Sequence, residues 1–134
     1  MRGFLIDTNV LLDIATADPN WASWSKAHLA DAASRGPVFI NPIIYAEVAV
    51  GFSRVEALDE ALPPHYYRRA PLPWAAGFLA GQAFVKYRRR GGERRSPLAD
   101  FYIGAHAAVS RLTLLTRDPK RYRAYFPTVR LLAP

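Results

Sequence analysis

Cysteine is absent from this sequence, methionine occurs once, and only three of the 18 basic residues are lysines. Without cysteine there are no disulfide staples and no thiolate ligands, which excludes zinc centres of the cysteine type and agrees with a reducing compartment. Long apolar runs are missing too. The most apolar stretch, PVFINPIIYAEVAVGF, contains two prolines and Glu47, so it does not suit a membrane span, which needs about 20 uninterrupted apolar residues. Near Arg2, the polar residues Asp7, Asn9 and Asp13 cut what would be the apolar core of a signal peptide. The expectation is a cytoplasmic protein with no membrane attachment. Acids are also scarce: 11 against 18 bases leave a net charge of +7, which favours a polyanionic or acidic partner. Six of the 18 bases crowd into KYRRRGGERR, residues 86–95. Its arginines suit phosphate or carboxylate recognition, of RNA or of an acidic protein; they equally suit a helix end, where cations meet the negative dipole and Gly91 and Gly92 stop the helix.

The chain has 134 residues and shows no repeat, low-complexity tract or linker, so the expectation is one domain over 1–134, enough to bury roughly 70% of its unfolded surface. GFLID reads as a short buried strand, followed by a helical turn or two over Asn9 to Ala15 and a helix over roughly Asn20 to Ser34. PVFIN is a second strand, after which Asn41 and Pro42 form an N-cap and first helical position opening IIYAEVAVGF. Ser53 is placed as the cap of a helix ending about Leu62, residues 65–72 as irregular or a short edge strand, and Pro73 to Arg90 as a long helix. Ser96 with Pro97 starts LADFYIGAHAAVSR, LTLLT is a strand, Asp118 with Pro119 opens a short helix, and TVRLL is the last strand. Strands separated by helices imply parallel pairing and a three-layer α/β/α sandwich with a central parallel sheet of four or five strands. Sites in such sheets gather at the carboxyl ends of strands.

Four acids fall in places where surface exposure does not account for them. Asp7 ends the first strand, and Asp118 follows LTLLT by two residues. Asp100 lies in the first turns of an apolar helix, and Glu47 shares a helical face with Ile43, Ile44, Val50 and Gly51. Each has an ordinary alternative. Asp7 and Asp118 suit helix N-caps, Asp100 suits a helix dipole, and Glu47 suits an ion pair with Arg54 or Arg111. Asp13, Asp18, Asp31, Glu56, Asp59, Glu60 and Glu93 sit near polar residues or turns and are expected to face solvent. Several carboxylates at one sheet edge, with no cysteine and no histidine set at ligand spacing, suit a hard cation such as Mg²⁺ or Mn²⁺. Such an ion points to phosphoryl chemistry.

The ordered set LIDTN, IYAEV, LADFYIGAHA and LLTRD resembles the PIN-domain ribonucleases, specifically the VapC toxins of bacterial VapBC toxin–antitoxin pairs. It spans nearly the whole chain. The resemblance implies a PIN-like fold in which Asp7, Glu47, Asp100 and Asp118 form a metal-binding catalytic pocket, with Asn9 and Thr116 orienting the first and last acids. One departure is Asn41, where the family commonly has serine, so no catalytic role is transferred to it. The fourth acid is the least firmly required in the family. The resemblance also implies a homodimer and a cognate antitoxin that covers the site.

Together these readings predict a Mg²⁺-dependent endoribonuclease, with Mn²⁺ able to substitute, that hydrolyses RNA with metal-activated water. Asp7 and Asp100 are expected as the principal ligands, Glu47 as a direct or water-mediated one and Asp118 as a further one. Arg88, Arg89, Arg90, Arg94 and Arg95 are expected to contact RNA or the antitoxin. The alternative is a non-catalytic RNA-binding or scaffold domain of the same fold. An aspartyl phosphatase is disfavoured, because Thr8 and Asn9 follow Asp7 where that chemistry wants a second acid two residues on. His28, His65 and His106 lie in unlike contexts and are expected to be core or surface residues.

Overall fold

The computed structural model describes residues 3–92 and 97–134. A sheet of five strands, all parallel, runs in the order β3-β2-β1-β4-β5. The strands are short: β1 Phe4–Ile6, β2 Val38–Ile40, β3 Tyr67–Arg69, β4 Thr113–Leu115 and β5 Leu131–Leu132. β1 is central and fully buried, with Leu5 and Ile6 at 0% exposure, each side chain contributing about 1.5–3 kcal/mol of transfer free energy. Its unbroken apolar run is what a parallel strand covered on both faces requires.

Helices flank the sheet. Helices α1 Thr8–Ala15 and α2 Ala22–Arg35 lie between β1 and β2, and α3 Pro42–Ala49 and α4 Val55–Ala61 between β2 and β3. From β3 the chain returns through α5 Trp74–Arg89 and α6 Leu98–Ser110 to β4, on the other side of β1, and α7 Lys120–Tyr125 leads to β5. The path therefore leaves β1 in one direction and later re-enters beside it in the other. The carboxyl ends of β1 and β4 form a switch point, where a crevice is expected.

Aromatic packing sets the helices that border this crevice. Phe101 of α6 lies 5.2 Å from Tyr125 and 6.1 Å from Phe126, ring centre to ring centre, and Tyr87 of α5 lies 5.7 Å from Phe101. α5 turns a small-residue stripe, Ala76, Ala80 and Ala83, into the interior. At Gly104 a Cβ would stand 2.5 Å from the Phe126 ring, so only glycine lets α6 approach that close. α5 ends as expected: Gly91 adopts φ 83°, and Lys86, Arg88 and Arg89 occupy the last turn.

The sequence expectations for the fold mostly hold, with corrections at the caps. Asn41 caps α3 through Oδ1, which accepts from Ile44 N–H at 2.9 Å. Ser53 does not cap α4, which begins after Arg54 without a side-chain cap. Asp118 is not a cap either, since α7 starts one residue after Pro119 with no side-chain bond. Ser96 lies outside the described residues. The face expected to bury Glu47 is only partly apolar cover, because α3 stops at Ala49 and Val50 is 88% exposed. Residues 67–69 do pair, completing a fifth strand at the sheet edge.

Candidate active site

Asp7 stands directly after β1, and its N–H donates to Leu115 O at 2.9 Å, so the first and fourth strands end side by side. The side chain is 4% exposed. Its Oδ1 accepts from Thr8 N–H at 2.8 Å, which makes it the N-cap of α1. Its Oδ2 accepts from the hydroxyls of Thr116 and Tyr122, each at 2.9 Å, and from Asn9 Nδ2 at 3.3 Å. Capping and site placement therefore coexist in one residue. Burial pushes the Asp7 carboxyl up to about 6, the hydrogen bonds from Thr116, Tyr122 and Thr8 pull against that, and the charge of Asp100 pushes it up further. Tyr122 is buried beside the same acids, which holds its phenol well above the usual tyrosine range. The phenol keeps its proton and donates.

The turn after β4 is also tied to Asn9, two residues past Asp7. Asn9 Nδ2 donates to Thr116 Oγ1 at 3.2 Å, Asn9 Oδ1 accepts from Arg117 N–H at 3.3 Å, and Thr116 Oγ1 accepts from Asp118 N–H at 3.1 Å. Asp118 itself is exposed. Half-buried Asp100, in the first turn of α6, pairs with Arg121 Nη1 at 2.6 Å. Half-buried Glu47 accepts from Thr8 Oγ1 at 2.6 Å, rather than from Arg54 or Arg111; Arg54 lies by Glu56 instead.

A cavity of about 410 Å³ opens here, lined by Asp7, Asn9, Asp100 and Asp118 together with Lys120, Arg121 and Tyr122. Three of the four acids expected in the site thus share one cavity. Glu47 does not line it, although its charge reaches Tyr122 and its hydrogen bond reaches Thr8, next to Asp7. Of the basic run, Arg90 stacks over the ring of Tyr125, a cavity-lining residue, at 5.0 Å, and Arg88 over Phe84 at 5.8 Å. Arg89 is exposed. Arg94 and Arg95 lie outside the described residues. His106 is a buried core residue whose Nδ1 lies 3.0 Å from Asn41 Nδ2, and burial lowers its pKa.

A model of the PIN domain matches residues 4–127. The chain belongs to the PIN-domain family. Among solved structures it is similar to VapBC2 from Rickettsia felis bound to a DNA fragment from its promoter, with 18% identity, a TM-score of 0.75 and 98% of each chain covered. It is also similar to DNA-bound VapBC from Salmonella typhimurium, at 21% identity, a TM-score of 0.71 and coverage of 99% of this chain and 98% of that one. FitAcB from Neisseria gonorrhoeae has 22% identity, a TM-score of 0.68 and 96% coverage of each chain. At these identities the likeness is one of fold. No curated protein matches the chain.

A divalent cation fits the chemistry of this PIN-domain cavity, since its acidic donors are all carboxylate oxygens and a buried carboxylate facing a second one gains from a cation. Among the described residues no three carboxylates or histidines form a ready-made cage. Asp7 is held by Tyr122 and Thr116 and Asp100 by Arg121, while Glu47, outside the lining, is held by Thr8.

Sequence reasoning misses five participants: Thr8, Arg121, Tyr122 and the paired Asp13 and Arg117. Asp13, expected in solvent, is 3% exposed and bonded to Ser25 Oγ at 2.9 Å and Arg117 Nε at 2.7 Å. Its spacing carries the signal, because three residues after Val10 it falls on the buried side of α1. Nothing in KRYRAY separates Arg121 and Tyr122 from their neighbours without knowing which side of α7 meets the cavity.

Proposed function

We propose that the chain is a divalent-metal-dependent endoribonuclease and the toxin of a type II toxin–antitoxin pair. The observation that carries this reading is the meeting of Asp7, Asp100 and Asp118 in one cavity at the switch point between β1 and β4. Asp7 and Asp100 would hold Mg²⁺ or Mn²⁺, with Asp118 at the mouth and Glu47 approaching through Thr8. When bound, the ion supplies Lewis acidity and acidifies a water molecule.

The protein's own groups orient the reaction. Thr116 and Tyr122 fix one Asp7 oxygen, and Thr8 N–H fixes the other, so the carboxylate cannot rotate away from its task. Lys120 and Arg121 bring positive charge to the cavity lining, where an RNA phosphate would enter. Water attacks phosphorus in line; the P–O3′ bond breaks, and the departing 3′ oxygen takes a proton, leaving a 5′-phosphate and a 3′-hydroxyl. No protein nucleophile is required.

The structural neighbours include VapBC complexes, which supports a cognate antitoxin as partner. Exposed apolar side chains support protein partners, an antitoxin and a second copy of the chain: Trp74 is 96% and Phe78 74% exposed, both on α5. No helix among the described residues is long and apolar enough to cross a membrane.

The test is cleavage of RNA by purified protein with and without chelator. EDTA should abolish cleavage, and Mg²⁺ or Mn²⁺ alone should restore it. Undiminished cleavage in excess EDTA would overturn the reading and point to acid–base chemistry.

A further inference from the structure

Arg121 occupies an unusual place for a residue of a metal-dependent site. Its Nη1 lies 2.6 Å from Asp100 Oδ2, and both side chains are partly open to water, at 40% and 38%. A guanidinium here neutralises one of the two acids proposed as principal cation ligands. The neighbouring residue, Tyr122, bonds the other acid, Asp7. Consecutive residues of one short helix therefore hold the two acids by different means, one through a neutral phenol and one through a positive charge.

The two means differ in how they respond to a cation. The phenol uses a single hydrogen on one Asp7 oxygen, whereas the guanidinium places a full charge where a divalent ion would also sit. Arg121 and a bound ion would compete for Asp100. The arginine is poised to give way, since a half-exposed ion pair adds little to stability, and in the same position its guanidinium rests over the ring of Tyr87, 5.9 Å from the centroid. It lines the cavity beside Lys120, and its planar fork matches the oxygens of a phosphate.

We infer that Arg121 is a resident counter-ion that changes partner, holding Asp100 while no divalent cation is bound there and the substrate phosphate when one is. This rests on the metal-dependent reading of the site. It makes cation binding and phosphate binding mutually reinforcing through one side chain: the ion frees the arginine, and the phosphate keeps it from returning.

The experiment compares the wild-type protein with Arg121→Met and Arg121→Lys, with folding checked by circular dichroism. Mn²⁺ binding is measured by calorimetry in the absence of RNA, and binding of a short fluorescein-labelled single-stranded RNA is measured in Ca²⁺ and in EDTA. Arg121→Met should bind Mn²⁺ roughly three- to tenfold more tightly, the effect of removing one nearby positive charge in a partly screened site. It should weaken RNA binding much more in Ca²⁺ than in EDTA, with Arg121→Lys between wild type and Arg121→Met. Equal Mn²⁺ affinity in wild type and Arg121→Met, or a loss of RNA affinity of the same size with and without Ca²⁺, would overturn the inference and leave the metal-dependent reading standing. Failure of every protein to bind Mn²⁺ would overturn both.

Discussion

Arg117 Nε lies 2.7 Å from Asp13 Oδ2, and this pair tethers the turn after β4 to helix α1. Asp13 also accepts from the Ser25 hydroxyl at 2.9 Å, and the Arg117 guanidinium rests over the ring of Trp21 at 5.5 Å. The turn so fixed carries Thr116 and Asp118, one bonded to Asp7 and the other lining the cavity. The sequence therefore uses a non-catalytic acid to place catalytic candidates. Removing Arg117 strands a carboxylate that is 3% exposed. Arg117→Ala should lower stability by about 2 kcal/mol, below the usual cost of breaking a fully buried pair because Arg117 is itself a third exposed. Asp13→Asn keeps the Ser25 bond and should cost less, about 1 kcal/mol. Urea denaturation of the two single variants and the double variant measures the coupling; strictly additive losses would show that the pair is no tether.

The Asp7 carboxyl makes a second, pH-dependent prediction. Its value is raised from 3.8 to about 6 in the fold, so folding favours its protonated form. Its contribution to stability is fully present below about pH 3.8 and is lost as pH rises through about 6. In EDTA, the stability of the wild type relative to Asp7→Asn should increase as pH falls from neutral to about 5, by about 1.3 kcal/mol at 1.36 kcal/mol per unit. Tyr122→Phe removes a hydrogen bond that lowers the Asp7 value, so it should move this window upward. A pH-independent difference between wild type and Asp7→Asn would contradict the burial of a reluctant carboxylate.

The arginines at the end of α5 separate two uses. All three are exposed, and Arg90 lies over the ring of Tyr125 at the cavity while Arg88 lies over Phe84. If Arg88, Arg89 and Arg90 hold phosphates, replacing all three with glutamine in an Asp7→Asn background should reduce the slope of log affinity against log salt for single-stranded RNA, by about 0.7 for each phosphate no longer held. Sequence preference should hardly change. An unchanged slope would leave these residues as a helix terminus or an antitoxin surface, which a parallel titration with an antitoxin distinguishes.

Much of this architecture is legible without coordinates because its signals are local. Buried parallel strands read as short apolar runs, and Asn41 before Pro42 announces α3 with a cap whose geometry is set within four residues. The acids Asp7, Asp100 and Asp118 stand out because each follows or opens such an element. What stays hidden depends on contacts between distant segments. Tyr122 meets Asp7 across 115 positions and Arg117 meets Asp13 across 104, and no local pattern encodes either. Glu47 shows the opposite error: its apolar neighbours suggest deep burial, but α3 ends early and leaves Val50 in solvent.

The central claim is that Asp7 and Asp100 hold the cation on which RNA cleavage depends, and cleavage by Asp7→Asn and Asp100→Asn variants tests it most directly. Each substitution keeps the side-chain shape and removes the charge that would bind the ion, so circular dichroism should match the wild type. The expected result is loss of at least about a hundredfold in cleavage rate in Mg²⁺ for both variants, equivalent to about 2.7 kcal/mol in the barrier. Near wild-type cleavage by either folded variant would contradict the assignment of that acid to the metal site.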